Sequence, residues 1–106
     1  MSMVLREELS EGIVAITLNR PESLNALSPA LFSELNQIVT ELSKQTDSVG
    51  CVILRGAGRC FSAGNDLKAV RSGVKAKEKF FQAKTIDLIE KLPQPTIASV
   101  HGHCLT

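Results

Sequence analysis

The sequence predicts an α/β fold built on a parallel sheet. Apolar strand patterns alternate with segments of helical periodicity, so the later strands are joined by helical crossovers rather than by hairpins. The length of 106 residues suffices for one small domain and excludes a multidomain chain. Crossovers of this kind are right-handed, and open α/β sheets carry their functional residues at the carboxyl ends of the strands.

The first half of the chain contains the signals for two strands and a helix. The β-branched run from Ile13 to Leu18 predicts a strand, and Met3 to Leu9 is its candidate hairpin partner. Ser28-Pro29 predicts a helix start, because the serine side chain accepts from free N–H groups and proline suits the first helical position. Apolar residues then recur at helical spacing up to position 42, and the segment 47–50 ends the helix.

The second half repeats the alternation. Cys51 to Leu54 is predicted to be a fully buried strand, and the glycine-rich turn 56–66 follows it. A mostly helical stretch is expected from Leu67 to Lys91, with an interruption near Ser72-Gly73, before a last strand over 96–100. Parallel strands are normally covered on both faces. We therefore expect residues 1–106 to be the amino-terminal part of a single larger domain.

Composition excludes several classes of protein. Hydrophobic residues make up 43% and charged residues 22%, unlike a disordered chain, and 12 basic against 11 acidic residues leave no global footprint for nucleic acid or membrane. The three cysteines form no Cys-x-x-Cys pair, which disfavours a disulfide framework or a zinc ribbon and favours a reducing cytoplasm. Purely apolar runs such as Ile13 to Ile16 are too short to span a membrane.

The turn from Gly56 to Asp66 is the segment that best indicates chemistry. Phe61 replaces the third glycine of a dinucleotide fingerprint, and Cys60 replaces the first glycine of a nucleophile elbow. Ala63-Gly64 instead offers two small residues just before a predicted helix start, a pattern that suits backbone N–H donors for an anionic oxygen. A purely structural turn with Gly64 at positive φ is the alternative.

Three motifs in this order resemble the enoyl-CoA hydratase/isomerase family, also called the crotonase superfamily. The first reads Leu-Asn-Arg-Pro at residues 18–21 and Leu-Asn-Ala-Leu at residues 24–27. The second reads Arg-Gly-Ala-Gly at residues 55–58 and Phe-Ser-Ala-Gly-Asn-Asp-Leu at residues 61–67. The third reads Leu-Pro-Gln-Pro at residues 92–95 and Ile-Ala-Ser-Val-His-Gly at residues 97–102. Together they cover nearly all of the chain.

The resemblance implies a crotonase-like spiral of ββα repeats, usually a homotrimer or a dimer of trimers, that binds acyl-CoA thioesters in fatty acid metabolism. Coenzyme A is then part of the substrate, and no separate cofactor or metal is implied. Two backbone N–H groups would stabilise a thioester enolate, and residue matching assigns the first to Ala63. The second donor and two catalytic glutamates belong to segments that follow the stretch matching 102–106.

We therefore expect hydration of a 2-enoyl-CoA, with isomerase chemistry not separable from it, and no activity from residues 1–106 alone. A non-catalytic CoA-binding or trimer-forming fragment is the alternative from another class. Residue matching also implies substrate contacts near coenzyme A and in the loop that follows the second motif, at Leu24, Ala26, Ala63, Gly64, Asn65, Asp66, Leu67 and Lys68. Glu22 departs from a common lysine and Asn65 from a common alanine.

Two further features allow more than one interpretation. Six basic residues lie between positions 66 and 84, either to attract the phosphates of coenzyme A or as a solvated helix face. His101 and His103 could bind a metal, but a hydrogen-bonding role at the strand end is the expectation for His101. Phe80 and Phe81 are expected in the core rather than as stacking platforms, so nucleic-acid binding is not predicted.

Overall fold

A computed structural model describes residues 2–62, 64 and 76–102, with the backbone alone for residues 76–79. These ranges contain four strands and two helices, which are β1 (Val4–Ser10), β2 (Ile13–Leu18), α1 (Pro29–Ser43), β3 (Cys51–Gly56), α2 (Ala76–Glu90) and β4 (Thr96–Ser99). A 3-10 turn over Pro21–Ser23 follows β2 and was not predicted. The α/β class inferred from the alternation is confirmed.

The sheet has the strand order β1-β2-β3-β4. β1 and β2 form an antiparallel hairpin that turns at Gly12, whose φ of 78° favours glycine. β2 pairs with β3 and β3 with β4 in parallel, with Ile13 opposite Cys51 and Val52 opposite Thr96. Both predicted crossovers are therefore present, and the carboxyl ends of β2, β3 and β4 lie on the same edge.

Helix α1 starts as its sequence predicts. The Ser28 hydroxyl accepts a hydrogen bond from the Leu31 N–H over 3.2 Å, and Pro29 occupies the first turn, where no N–H partner is needed. The helix buries its apolar stripe against the inner face of the sheet. Five side chains of α1 form this stripe, namely Leu31, Phe32, Leu35, Val39 and Leu42. They meet the alternate residues of β2, so that helix and sheet share one core.

The opposite face of the sheet carries a polar network. Thr17 is 5% exposed, and its hydroxyl donates to Glu7 Oε1 over 3.0 Å and accepts from Arg55 Nε over 3.1 Å. Arg55 also forms an ion pair with Glu7 at 3.4 Å. Because Glu7 accepts the proton of the Thr17 hydroxyl and Arg55 donates to its oxygen, this buried hydroxyl has both a donor and an acceptor partner.

Burial differs from the sequence prediction in β3. Val52 is the fully buried residue of β3, whereas its neighbours Cys51, Ile53 and Leu54 are half-buried. All four residues of β4 are exposed. The prediction of a fully buried β3 is therefore wrong, because helices α1 and α2 cover one face of this strand more completely than the other.

The phenylalanine pair of α2 is exposed as well, which contradicts the prediction that both side chains lie in the core. Phe80 is 72% exposed and Phe81 37%. The face of α2 that packs toward α1 includes Thr85, Leu88 and Ile89. Phe80 lies five residues before Thr85, or about 140° around the helix from it, so its ring points away from the core. The predicted start of this helix, from Leu67 to position 75, lies outside the described residues.

Candidate functional site

Three loops meet at the edge of the sheet where the parallel strands end. β2 leads into residues 19–27, β3 into the turn that starts at Ala57, and β4 into residues 100–102. The chain leaving β3 is bonded to the end of β2, since the Ala57 N–H donates to the Leu18 carbonyl over 2.8 Å. This edge contains the segments in which the sequence predicts functional residues.

The loop after β2 has an unusual backbone. Leu24 and Asn25 have φ angles of 53° and 54°, in the left-handed region. Asparagine tolerates this region because its short polar side chain bonds locally, but leucine does not favour it. Here the Asn25 N–H donates to the Arg20 carbonyl over 2.8 Å, and the Arg20 N–H donates back to Asn25 Oδ1 over 2.7 Å. This reciprocal pair holds the strained turn closed.

The Asn25 side chain ties this turn to the loop after β3. Its Nδ2 donates to the carbonyls of Ala57 and Cys60 over 2.9 and 3.0 Å. The residue is fully buried, and the amide uses Oδ1 as acceptor and both Nδ2 protons as donors. The opposite amide orientation would set Oδ1 against two carbonyl oxygens. The network therefore fixes which way the amide points.

Ser62 and Gly64 are held by the same arrangement. The Ser62 hydroxyl, in a residue that is 3% exposed, donates to the Asn25 carbonyl over 2.9 Å and accepts from the Gly64 N–H over 3.1 Å. The Gly64 carbonyl accepts from the Leu27 N–H over 2.7 Å. Gly64 has a φ of 91°, as the structural interpretation of this turn predicts. Its peptide groups are thus bonded to both loops.

Close backbone approach explains the glycines of this turn. A Cβ on Gly56 would lie 2.5 Å from the Phe61 carbonyl oxygen and 2.7 Å from that of Cys60. A Cβ on Gly58, whose φ is 82°, would lie 2.8 Å from Pro21 Cβ. The chain can therefore pass this tightly between the loops only where side chains are absent.

His101 supplies the contact from the end of β4. Its Nε2 lies 2.9 Å from the Gly58 carbonyl oxygen and donates to it, because a carbonyl can only accept. Its own carbonyl accepts from the Phe61 N–H over 2.8 Å. The expected hydrogen-bonding role of His101 is confirmed. Within the described residues no group of three or more His, Cys, Asp or Glu side chains could hold a metal ion, and His103 lies outside them.

Three of the predicted substrate-contact residues belong to the described part of the chain. The Leu24 carbonyl accepts from Cys60 Sγ over 3.5 Å, the Ala26 carbonyl accepts from Arg20 Nη1 over 2.9 Å, and Gly64 is buried between the loops. The structure thus brings Leu24, Ala26 and Gly64 to one edge. The other predicted contacts lie outside the described residues, namely Ala63, Asn65, Asp66, Leu67 and Lys68.

Sequence reasoning missed Asn25 and Ser62. Both had a signal of their own. Apart from glycine, asparagine is the residue that best tolerates a left-handed backbone. A serine two residues before a glycine is typical of a turn in which the side chain bonds to the backbone. Neither signal says that the two residues, 37 apart in sequence, contact each other.

The charges and cysteines near the site are described only in part. The side chain of Lys84 is described, whereas those of the other basic residues in the predicted cluster are not. Cys60 is 1% exposed, so the expectation of a small buried residue is confirmed there, and Cys51 is half-buried.

Remote from this edge, the hydrogen bond to Asp87 and its charge raise the pKa of Lys91, and the two groups lie 2.9 Å apart.

The described parts of the chain contain no helix of the length and apolar character that crossing a membrane requires.

Comparison with known proteins gives consistent matches. The family model "Enoyl-CoA hydratase/isomerase" matches residues 8–106. A protein named "Probable enoyl-CoA hydratase 1, peroxisomal" from Arabidopsis thaliana is 36% identical over 97 residues, which are 92% of this chain and 36% of that protein. The mitochondrial Delta(3,5)-Delta(2,4)-dienoyl-CoA isomerase of Rattus norvegicus is 33% identical over 107 residues, covering 88% of this chain and 32% of that protein. The compartment names differ, so the family alone does not place the chain in the cytoplasm.

The fold matches as well. The crystal structure of an enoyl-CoA hydratase from Mycobacterium smegmatis superposes with a TM-score of 0.88 at 35% identity, covering 96% of this chain and 41% of that one. The chain thus spans about a third to two fifths of the length of these relatives, and its mixed sheet and two helices correspond to an amino-terminal part of their fold. The family model, the sequence relatives and the fold agree that this chain is a member of the enoyl-CoA hydratase/isomerase family.

Proposed function

We propose that the protein containing this chain hydrates 2-enoyl-CoA thioesters, using a backbone oxyanion hole of which the Ala63 N–H is one donor. The oxygen of water adds to C3 of the double bond and the water releases one proton, the electron pair moves onto the thioester oxygen, and the resulting enolate takes one proton at C2. The negative charge that develops on the oxygen is what the site must stabilise.

The observation that carries this proposal is the fixed loop after β3. Ser62 and Gly64, the two chain neighbours of Ala63, are both buried and hydrogen-bonded to the loop after β2. An oxyanion donor is effective when it is already aimed before the charge appears, because no reorganisation is then needed during the reaction. A backbone N–H donor to the developing negative charge contributes about 3–4 kcal/mol to the transition state.

The proposal assigns substrate contacts to the same edge. Leu24 and Ala26 would contact coenzyme A, and the loop that continues through Asn65 and Asp66 to Lys68 would line the thioester. Support comes from the position of Leu24 and Ala26 beside Cys60 and Arg20 in the described loops. The second oxyanion donor and the acid/base residues would lie outside residues 1–106. The assembly would be a homotrimer or a dimer of trimers, with no cofactor beyond the coenzyme A of the substrate.

Double-bond isomerisation is the second candidate activity. It is favoured by the relative from Rattus norvegicus, which is named an isomerase and is nearly as similar to this chain as the hydratase is. Both reactions pass through a thioester enolate, so the same oxyanion hole serves both.

Purified full-length protein tests the proposal with two substrates. Crotonyl-CoA reports hydration by loss of enoyl absorbance, and a 3-enoyl-CoA reports isomerisation by its gain. We expect turnover of crotonyl-CoA with kcat above about 1 s⁻¹, in the ordinary range for enzymes. Turnover of the 3-enoyl-CoA alone would assign the isomerase, and binding of both thioesters without turnover would contradict catalysis.

A further inference from the structure

The Ser62 hydroxyl occupies a central place between the two loops. It is 3% exposed and makes one hydrogen bond in each direction, donating to the Asn25 carbonyl and accepting from the Gly64 N–H. A hydroxyl has one proton, so the bond to Asn25 leaves only its lone pairs for Gly64. The direction of both bonds is therefore fixed by the identity of the partners.

Asn25 in turn cannot move independently. Its side chain uses three hydrogen bonds to hold the Arg20 N–H and the carbonyls of Ala57 and Cys60, and its left-handed backbone turns its own carbonyl toward Ser62. A buried amide that uses its oxygen and both of its protons resists displacement, because each broken bond would leave an unpaired buried group. Ser62 is thus bonded to a rigid neighbour rather than to a mobile one.

We propose that Asn25 and Ser62 are positioning residues, which aim the peptide N–H of residue 63 at the substrate oxygen by fixing the peptides on either side of it. This inference rests on the proposed oxyanion role of Ala63. Peptide planarity is what transmits the constraint, because the N–H of residue 63 belongs to the peptide plane that begins at the Ser62 carbonyl carbon.

A positioning role has a different kinetic signature from a structural one. The thioester would still bind through its coenzyme A portion if the donor were tilted, so KM should change little. The transition state would lose part of a hydrogen bond that depends on angle, so kcat should fall. A loss of fold would instead reduce the amount of active protein and leave the kcat of the remainder unchanged.

Ser62→Ala in the full-length protein tests this inference. We expect kcat for crotonyl-CoA to fall about 10- to 100-fold, as for a displacement of the reacting groups by a fraction of an ångström, with KM within about threefold of wild type. Hydrogen exchange at the Gly64 amide, followed by NMR, should accelerate about 10-fold or more because that amide loses its acceptor. Ser62→Cys, which keeps a weak donor and acceptor, should retain more kcat than Ser62→Ala.

Thr85→Val is the matched control. Thr85 is also buried and hydrogen-bonded through its hydroxyl, but it lies between the helices rather than at the strand ends. Its removal should lower the melting temperature and leave kcat within about twofold. If Ser62→Ala and Thr85→Val lower the melting temperature alike and neither changes kcat, Ser62 is only structural and the inference is wrong.

Asn25→Gly separates the side chain from the backbone. Glycine accepts the left-handed φ of this position, so the variant deletes the three side-chain bonds without adding strain. As for Ser62→Ala, we expect a lower kcat with KM within about threefold of wild type. A kcat equal to that of wild type would overturn the role of Asn25.

The outcomes also separate this inference from the proposed function. If the wild-type protein turns over no enoyl-CoA, the proposed function fails. The positioning of the loop is then judged by amide exchange alone, and an unchanged Gly64 rate in Ser62→Ala would contradict it.

Discussion

Asn36 on α1 and Thr85 on α2 are joined across the helix interface by a hydrogen bond of 2.9 Å from Asn36 Nδ2 to Thr85 Oγ1. Thr85 is fully buried, and its hydroxyl donates to the Phe81 carbonyl one turn earlier, also over 2.9 Å. The hydroxyl therefore links the two helices through one buried polar group. Such a bond selects one register of α2 against α1.

Thr85→Val should accordingly lower the free energy of unfolding by about 1–2 kcal/mol, because the shape is kept while Asn36 loses its acceptor. Urea denaturation of the full-length protein measures this. The matched variant is Asn36→Ala, which removes the other partner. If both substitutions act on the same bond, the double variant should be no more than about 0.5 kcal/mol worse than the more damaging single one.

Gly56→Ala should destabilise the protein by about 1–3 kcal/mol, because the new methyl group would overlap the backbone of the turn at Phe61 and Cys60. Backbone atoms cannot rotate away as a flexible side chain could, so the loop after β3 must shift. Gly50→Ala is the control, since its Cβ would meet Gly12 O at an ordinary 3.8 Å. That variant should stay within about 0.5 kcal/mol of wild type in the same denaturation experiment.

Ala63→Pro should lower kcat by about 10²- to 10³-fold if the N–H of this residue holds the substrate oxygen, because proline has no N–H. Ala63→Gly keeps the N–H and the small volume and should retain much of the activity. A thioether analogue without the carbonyl oxygen should bind wild type and Ala63→Pro alike if the fold survives. Activity of Ala63→Pro within a few-fold of wild type would show that the oxygen is held elsewhere.

Replacing both Lys68 and Arg71 by glutamine should raise KM for acyl-CoA at low ionic strength if the positive charges of these two residues attract its phosphates. The effect should fade as salt is raised, since exposed charges are screened over about 10 Å at 0.1 M. Lys44 and Lys91 provide the control pair, because each follows a helix that leads to the amino end of a strand, away from the proposed site. If both pairs change KM equally, the cluster is a solvated helix face.

Local chemistry explains which elements the sequence predicts well. β2 has the bounds expected from its β-branched run, Ile13 to Leu18, because turn residues lie on both sides. The start of α1 is likewise fixed within a few residues, by a serine side chain and a proline that act on their own neighbours.

The candidate site is predicted less well because its bonds join distant segments. Nothing within the Leu24-Asn25 pair shows that Asn25 would bind carbonyls more than thirty residues away. The left-handed φ of Leu24 has no residue signal at all, since it is imposed by the turn rather than favoured by leucine. The exposure of Phe80 was missed for a related reason, because helical periodicity gives a stripe but not the neighbour that covers it.

The parallel pairing of the sheet has a consequence for the order of folding. Ile13 meets Cys51, and Val52 meets Thr96, only after α1 and then the segment containing α2 have been looped across the sheet. Such non-local closures cost chain entropy before they are rewarded by contacts, and they are slow steps. The Asn25 amide joins the segments that follow β2 and β3, and His101 joins those that follow β3 and β4. Each contact can form only when its own closure is complete, so the edge that carries the proposed site would be assembled only after both closures have formed.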